Sequence, residues 1–89
     1  MSDIIPSTGK VLVKFGATWC VNCRPMSDVI EQAQLSIPVI DLDLDEYPEL
    51  AQNYLIRGVP TLLLLNKGKE IARNTGLLTK QQLLDFVSK

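Results

Sequence analysis

The feature that most restricts the fold is the unbroken run Thr61-Leu62-Leu63-Leu64-Leu65. Five residues are too few for a core helix, and turn-forming residues bound the run on both sides. It reads as a central strand buried on both faces, which requires a layer of structure against each face. At 89 residues the chain has room for one domain, spanning 1–89, with positions 1–9 as an irregular lead-in. A chain this short buries only about 60% of the surface that its unfolded form exposes, so the core must be economical. The 46% apolar composition supplies such a core without a metal or a set of disulfides.

The remaining elements follow from spacing. Val11-Leu12-Val13-Lys14-Phe15 reads as a buried strand with one anomaly, Lys14. From about Asn22 to Leu35, Cys23, Met26, Ile30 and Ala33 recur at helical spacing. Pro38 follows, then a strand at Val39-Ile40-Asp41-Leu42. Pro48 suits the first turn of a helix reaching about Leu55. Asn66-Lys67-Gly68-Lys69 is a hairpin turn, with Glu70 to Arg73 as the partner strand. Thr79 caps the last helix, Gln82 completes a capping box, and Leu83, Leu84, Phe86 and Val87 form its apolar side. Ile4 and Ile5 are candidates for a short edge strand. The order is β-α-β-α-β-β-α. Strands linked by helices are expected to run parallel and the hairpin to add an antiparallel strand. The fold class is therefore α/β, a central mixed sheet with helices on both faces.

Charge and composition exclude several functions. Nine basic and ten acidic residues leave a net charge of −1, with no basic stripe for nucleic acid. No apolar run approaches the ~20 residues of a membrane span. Met1 to Lys10 lacks the basic start and apolar centre of a signal peptide. A cytoplasmic monomer is expected, in a compartment where a cysteine pair serves chemistry rather than structure. Two cysteines and no histidine exclude a histidine base. They also leave one chain short of a four-coordinate zinc site, so no metal is expected.

Trp19-Cys20-Val21-Asn22-Cys23 lies between the first strand and the first helix. Two intervening residues let the sulfurs meet across one helical turn. The positive end of the helix favours a thiolate at Cys20. Cys23 falls on the apolar face, buried and slower to react. Cys20 is thus expected to attack a substrate disulfide and Cys23 to resolve the mixed disulfide. A structural disulfide, half of a zinc site shared between chains and two inert core thiols are the alternatives. The flanking strand, helix and Trp19 favour redox chemistry.

With Val11 to Phe15, Trp19 to Cys23, Ile56-Arg57-Gly58-Val59-Pro60-Thr61 and Gly76 in this order, the sequence resembles the thioredoxin family over nearly all of Val11 to Lys89. The resemblance implies a thioredoxin-like fold with a trimmed N-terminus. It implies a redox-active disulfide with no bound cofactor, which reduces protein disulfides and is recycled by an NADPH-driven flavoprotein, a thioredoxin reductase. It implies a cis peptide bond at Pro60, facing the disulfide. It also implies a shallow substrate surface of Trp19, Val21, Asn22, Leu44, Gly58, Val59, Pro60, Thr75, Gly76 and Leu77.

Against that pattern, Val21-Asn22 replaces Gly-Pro between the cysteines. Asp28 stands in place of a helix-kinking proline, with Pro25 two residues after Cys23. Lys14 stands where the family has a buried Asp, and Asp41 where a Lys is common. A lone ammonium in a buried strand is costly, so Lys14 should be neutral, snorkelling or paired. The exchange implies that Lys14 and Asp41 face each other beneath the disulfide, with Asp41 as proton acceptor for Cys23, directly or through one water, and Lys14 stabilising the thiolate as it forms. A glutaredoxin-like, glutathione-dependent enzyme is a rival reading, but glutaredoxins usually carry Cys-Pro-Tyr-Cys without a preceding Trp. A binding module on the same fold is a second rival, and an oxidising role is a third.

Overall fold

The computed structural model describes residues 4–89. Strand β1 is Lys10–Gly16, followed by α1 (Cys23–Ala33), β2 (Val39–Asp43), α2 (Pro48–Asn53), β3 (Thr61–Asn66), β4 (Lys69–Thr75) and α3 (Lys80–Val87). The sheet order is β2-β1-β3-β4, so the two apolar runs take the two central places. β1 pairs with β2 in parallel and with β3 antiparallel. The last point corrects the expectation that all helix-linked strands run parallel. The chain crosses from edge strand β2 to the far side of β1 through a six-residue helix and the 54–60 loop, and enters β3 reversed.

Strand alternation sorts the core into two layers. Val11, Val13, Phe15, Leu63 and Leu65 face Leu42 and the α2 residue Ala51. Leu12, Leu62 and Leu64 face Met26 and Ile30 of α1 and Leu83 and Phe86 of α3. Lys14 shares the second face with Leu12, and so points toward the start of α1.

Local chemistry sets the element ends. Pro25 sits in the first turn of α1, where no backbone N–H is needed, and that helix stops at Gln34 in the left-handed region (φ 49°). Helix α2 is shorter than its sequence suggests. Leu55 adopts φ 54°, and the Arg73 guanidinium donates to the Tyr54 and Leu55 carbonyls, closing the helix from outside. Lys67 and Gly68, at φ 55° and 80°, make the two-residue turn that joins β3 to β4. β4 extends beyond the expected Glu70–Arg73 because pairing continues from Asn66↔Lys69 to Thr61↔Thr75. Ile4 and Ile5 lie in a bend rather than a strand, and Ile5 packs on the α2-side core.

Two expected outcomes arise here. The Thr79 side chain accepts from the Gln82 N–H at 3.1 Å, and the Gln82 side chain accepts from the Thr79 N–H at 2.9 Å. Thr79→Ala should cost about 1 kcal/mol in urea unfolding. Arg73 also donates two 2.8 Å hydrogen bonds to Glu70. These bonds hold the Glu70 carboxyl below its ordinary value of 4.5. A depressed carboxylate stabilises the fold above its unfolded-state pKa, and that contribution is lost as pH falls through the folded one. The pair is partly exposed, so the effect should stay below about 1 kcal/mol. Glu70→Gln should remove that share of the acid sensitivity between neutral pH and pH 3 or so, read from urea midpoints.

Candidate active site

Strand β1 ends at Gly16, and the chain turns through Ala17–Asn22 before α1 begins. Two turn bonds shape this passage, Cys20 N–H to the Ala17 carbonyl at 3.2 Å and Cys23 N–H to the Cys20 carbonyl at 3.4 Å. They bring the two cysteine Cα atoms to 5.5 Å, and the sulfurs are joined as a disulfide. Cys23 is the first residue of α1 and only 6% exposed, while Cys20 is half-buried just ahead of the helix. Asn22 occupies the N-cap position without a side-chain cap bond. The helix end therefore keeps positive character beside the sulfurs.

The surface around the disulfide is apolar. Val21 is 85% exposed and Trp19 64%. Trp19 Nε1 donates to Asp45 Oδ2 at 3.1 Å, and the Asp45 N–H donates to Asp43 Oδ1 at 2.8 Å. Asp45 thus orients the indole. Sequence spacing offered no sign of it, because a loop aspartate after β2 has no pattern of its own.

The Val59–Pro60 peptide is cis. Pro60 is buried, and its carbonyl accepts from the Gly76 N–H at 2.9 Å. Thr61 Oγ1 donates to the Gly58 carbonyl at 2.6 Å and lies 3.1 Å from the Thr75 hydroxyl. Asn74 Nδ2 donates to the Gly76 carbonyl at 3.2 Å. Together these bonds tie the 58–60 segment to the 75–76 segment. Thr61 and Asn74 were not anticipated as fasteners, since each reads as an ordinary strand residue. Leu77 is exposed beyond them. Leu44 is half-buried and packs against the core on the α2 side rather than standing free.

Lys14 and Asp41 are register partners on β1 and β2. Lys14 Nζ donates to Asp41 Oδ1 at 3.3 Å. The two side chains differ sharply in exposure, 5% for Lys14 and 62% for Asp41. The two face each other across the β1–β2 pairing, with the ammonium buried and the carboxylate in water. β2 is an edge strand, and its alternate residues meet water. Beside them lies an open chamber of about 200 Å³, lined by Lys14, Gly16, Ala17, Thr18, Cys23, Asp41, Leu42 and Asp43. Among the described residues, no three His, Cys, Asp or Glu side chains gather as a metal site, and no helix is long and apolar enough to cross a membrane.

Comparisons with known proteins point to one family. The family described as Thioredoxin matches residues 1–89. The thioredoxin of Acidithiobacillus ferridurans is 37% identical over 90 aligned residues, covering 97% of this chain and 83% of that one. The thioredoxin of Chlamydia trachomatis is 35% identical over 86, covering 93% and 84%. A solved mutant thioredoxin from Halobacterium salinarum superposes with a TM-score of 0.87 at 34% identity, covering 97% of this chain and 78% of that one.

Proposed function

The chain belongs to the thioredoxin family, and from that premise we propose that it reduces disulfides in other proteins, with Cys20 attacking and Cys23 resolving. It is a thiol–disulfide oxidoreductase with a redox-active disulfide. The observation that carries the division of labour is the unequal placement of the two sulfurs. Cys20 stands half-exposed ahead of a helix N-terminus, and Cys23 is nearly sealed beneath it.

The Cys20 thiolate attacks one sulfur of the substrate disulfide. That bond breaks, a Cys20–substrate disulfide forms, and the first substrate sulfur leaves as a thiolate and takes a proton. Cys23 then loses its proton and attacks the Cys20 sulfur. The Cys20–Cys23 bond forms, and the second substrate sulfur leaves. Two electrons and two protons pass to the substrate.

Trp19, Val21, Asn22, Gly58, Val59, Pro60, Thr75, Gly76 and Leu77 form the docking surface. The exposed apolar side chains of Trp19 and Val21, next to the cysteines in the chain, and of Leu77, next to Gly76, support that reading. Lys14 and Asp41 handle the proton of Cys23, and their 3.3 Å contact beside it supports this role. The 89 residues act as one cytoplasmic domain, a monomer contributing to electron transport and redox homeostasis. NADPH supplies reducing equivalents through a thioredoxin reductase-like flavoprotein. Turnover of a disulfide-bonded protein should proceed with NADPH and a thioredoxin reductase, and poorly with glutathione and its reductase. The reverse preference would assign the chain a glutaredoxin-like role.

A further inference from the structure

Lys14 is the one charged residue in the core among the described residues. A buried ammonium costs stability unless something offsets it, and the Asp41 carboxylate that meets it stands in water. Its position suggests what it does there. The Cys23 sulfur and the Lys14 nitrogen each lie 3.1 Å from the point that a Cβ on Gly16 would occupy. The two head atoms are thus separated by at most about twice that distance. They share the space left by the missing side chain of Gly16, and any larger residue there would push one of them away.

We infer that Lys14 is a positioning residue for the second half of the reaction, admitted by Gly16, whose charge favours the thiolate of Cys23 from behind the disulfide. The inference rests on the reading that Cys23 resolves the mixed disulfide. While a substrate is attached to Cys20 it covers the front of the site, around Trp19, Val21 and Pro60. The chamber beside Gly16 is lined instead by Asp41 and Asp43 of the β2 edge, and Asp41 reaches water. The proton of Cys23 leaves by that side, to Asp41 directly or through water. The titratable groups on the chamber are Cys23, Lys14, Asp41 and Asp43. Asp43 is engaged by the Asp45 N–H. One cation and one anion therefore act in opposite senses on the Cys23 thiol: Lys14 lowers its pKa and Asp41 raises it.

The test uses the chromogenic disulfide dithiobis(nitrobenzoate) with the fully reduced protein in single turnover. The first nitrothiobenzoate leaves when Cys20 attacks, and the second leaves when Cys23 resolves. Lys14→Met should raise the pH midpoint of the second release by about one unit and slow it about tenfold at pH 7. The first release should move much less. Lys14→Arg, which keeps the charge, should restore most of the midpoint. Asp41→Asn changes an exposed residue outside the core, and it should move the midpoint downward, whatever it does to the plateau rate. In urea, Lys14→Met should unfold no earlier than the parent protein, because an apolar chain of similar volume replaces a buried charge.

Unshifted midpoints in both Lys14→Met and Asp41→Asn overturn the inference. So does a fall in the urea midpoint of Lys14→Met with its pH profile unchanged, which would make Lys14 structural. Cys23→Ser separates the two levels. If that variant still releases the second nitrothiobenzoate, the assignment of Cys23 fails and the inference fails with it. If it stops after one release while the Lys14 and Asp41 midpoints stay put, the inference fails alone.

Discussion

Cys20→Ser is expected to abolish disulfide reduction, with a loss on the order of 10³-fold or more, because a serine hydroxyl at neutral pH does not replace the attacking thiolate. Cys23→Ser should fail differently. Its Cys20 can still attack, so one substrate sulfur is released and the other stays bound. Intact-mass measurement should find one stable adduct per chain in Cys23→Ser and none in Cys20→Ser. Alkylation of the reduced protein at neutral pH should label Cys20 first. The physical reason is the asymmetry of the site: Cys20 is half-exposed before a helix N-terminus, and Cys23 is 6% exposed under the first turn. Faster labelling of Cys23 would reverse the assignment.

Leu64→Ala is expected to be strongly destabilising. Leu64 has no exposed surface and sits between Met26 and Ile30 on one helix and Leu83 and Phe86 on the other. Removing it costs about 2–5 kcal/mol, since the surrounding helices and strands close a cavity only partly. Small domains have about 5–15 kcal/mol in total, so Tm should fall by roughly 10–40 °C in calorimetry. Leu64→Met keeps the volume and should cost less than about 1.5 kcal/mol. Leu77→Ala, on a half-exposed residue, should change stability by no more than about 0.5 kcal/mol. Equal losses for Leu64→Ala and Leu77→Ala would contradict the two-layer core.

Much of this was legible along the chain, and for identifiable reasons. The 61–65 run marked a strand buried on both faces because no polar residue interrupts it, and β3 is buried from Thr61 to Leu65. The capping box at Thr79 and Gln82 is a local motif, and both of its bonds are present. Helix α2 ends at Asn53 rather than near Leu55 because an arginine 19 residues beyond Tyr54 closes it. β3 runs against β1 although a helix links it to β2, because a helical connection does not by itself set strand polarity. Asp45, Thr61 and Asn74 were missed as site-shaping residues because their partners come from other loops and strands.

Local sequence carries the elements, the two faces of the central strands and the order in which strand, Cys-x-x-Cys and helix follow one another. Those are short-range properties, carried by side-chain periodicity and by caps and turns within a few residues. Only the packing of the sheet set which of Lys14 and Asp41 meets water. It left the ammonium sealed beside Cys23 and the carboxylate outside, because β1 is central and β2 is an edge. It also decided that the bare Cα of Gly16 would become the floor of a chamber shared by Lys14 and Cys23. Such a juxtaposition comes from packing one element across another, and neighbours along the chain carry no trace of it.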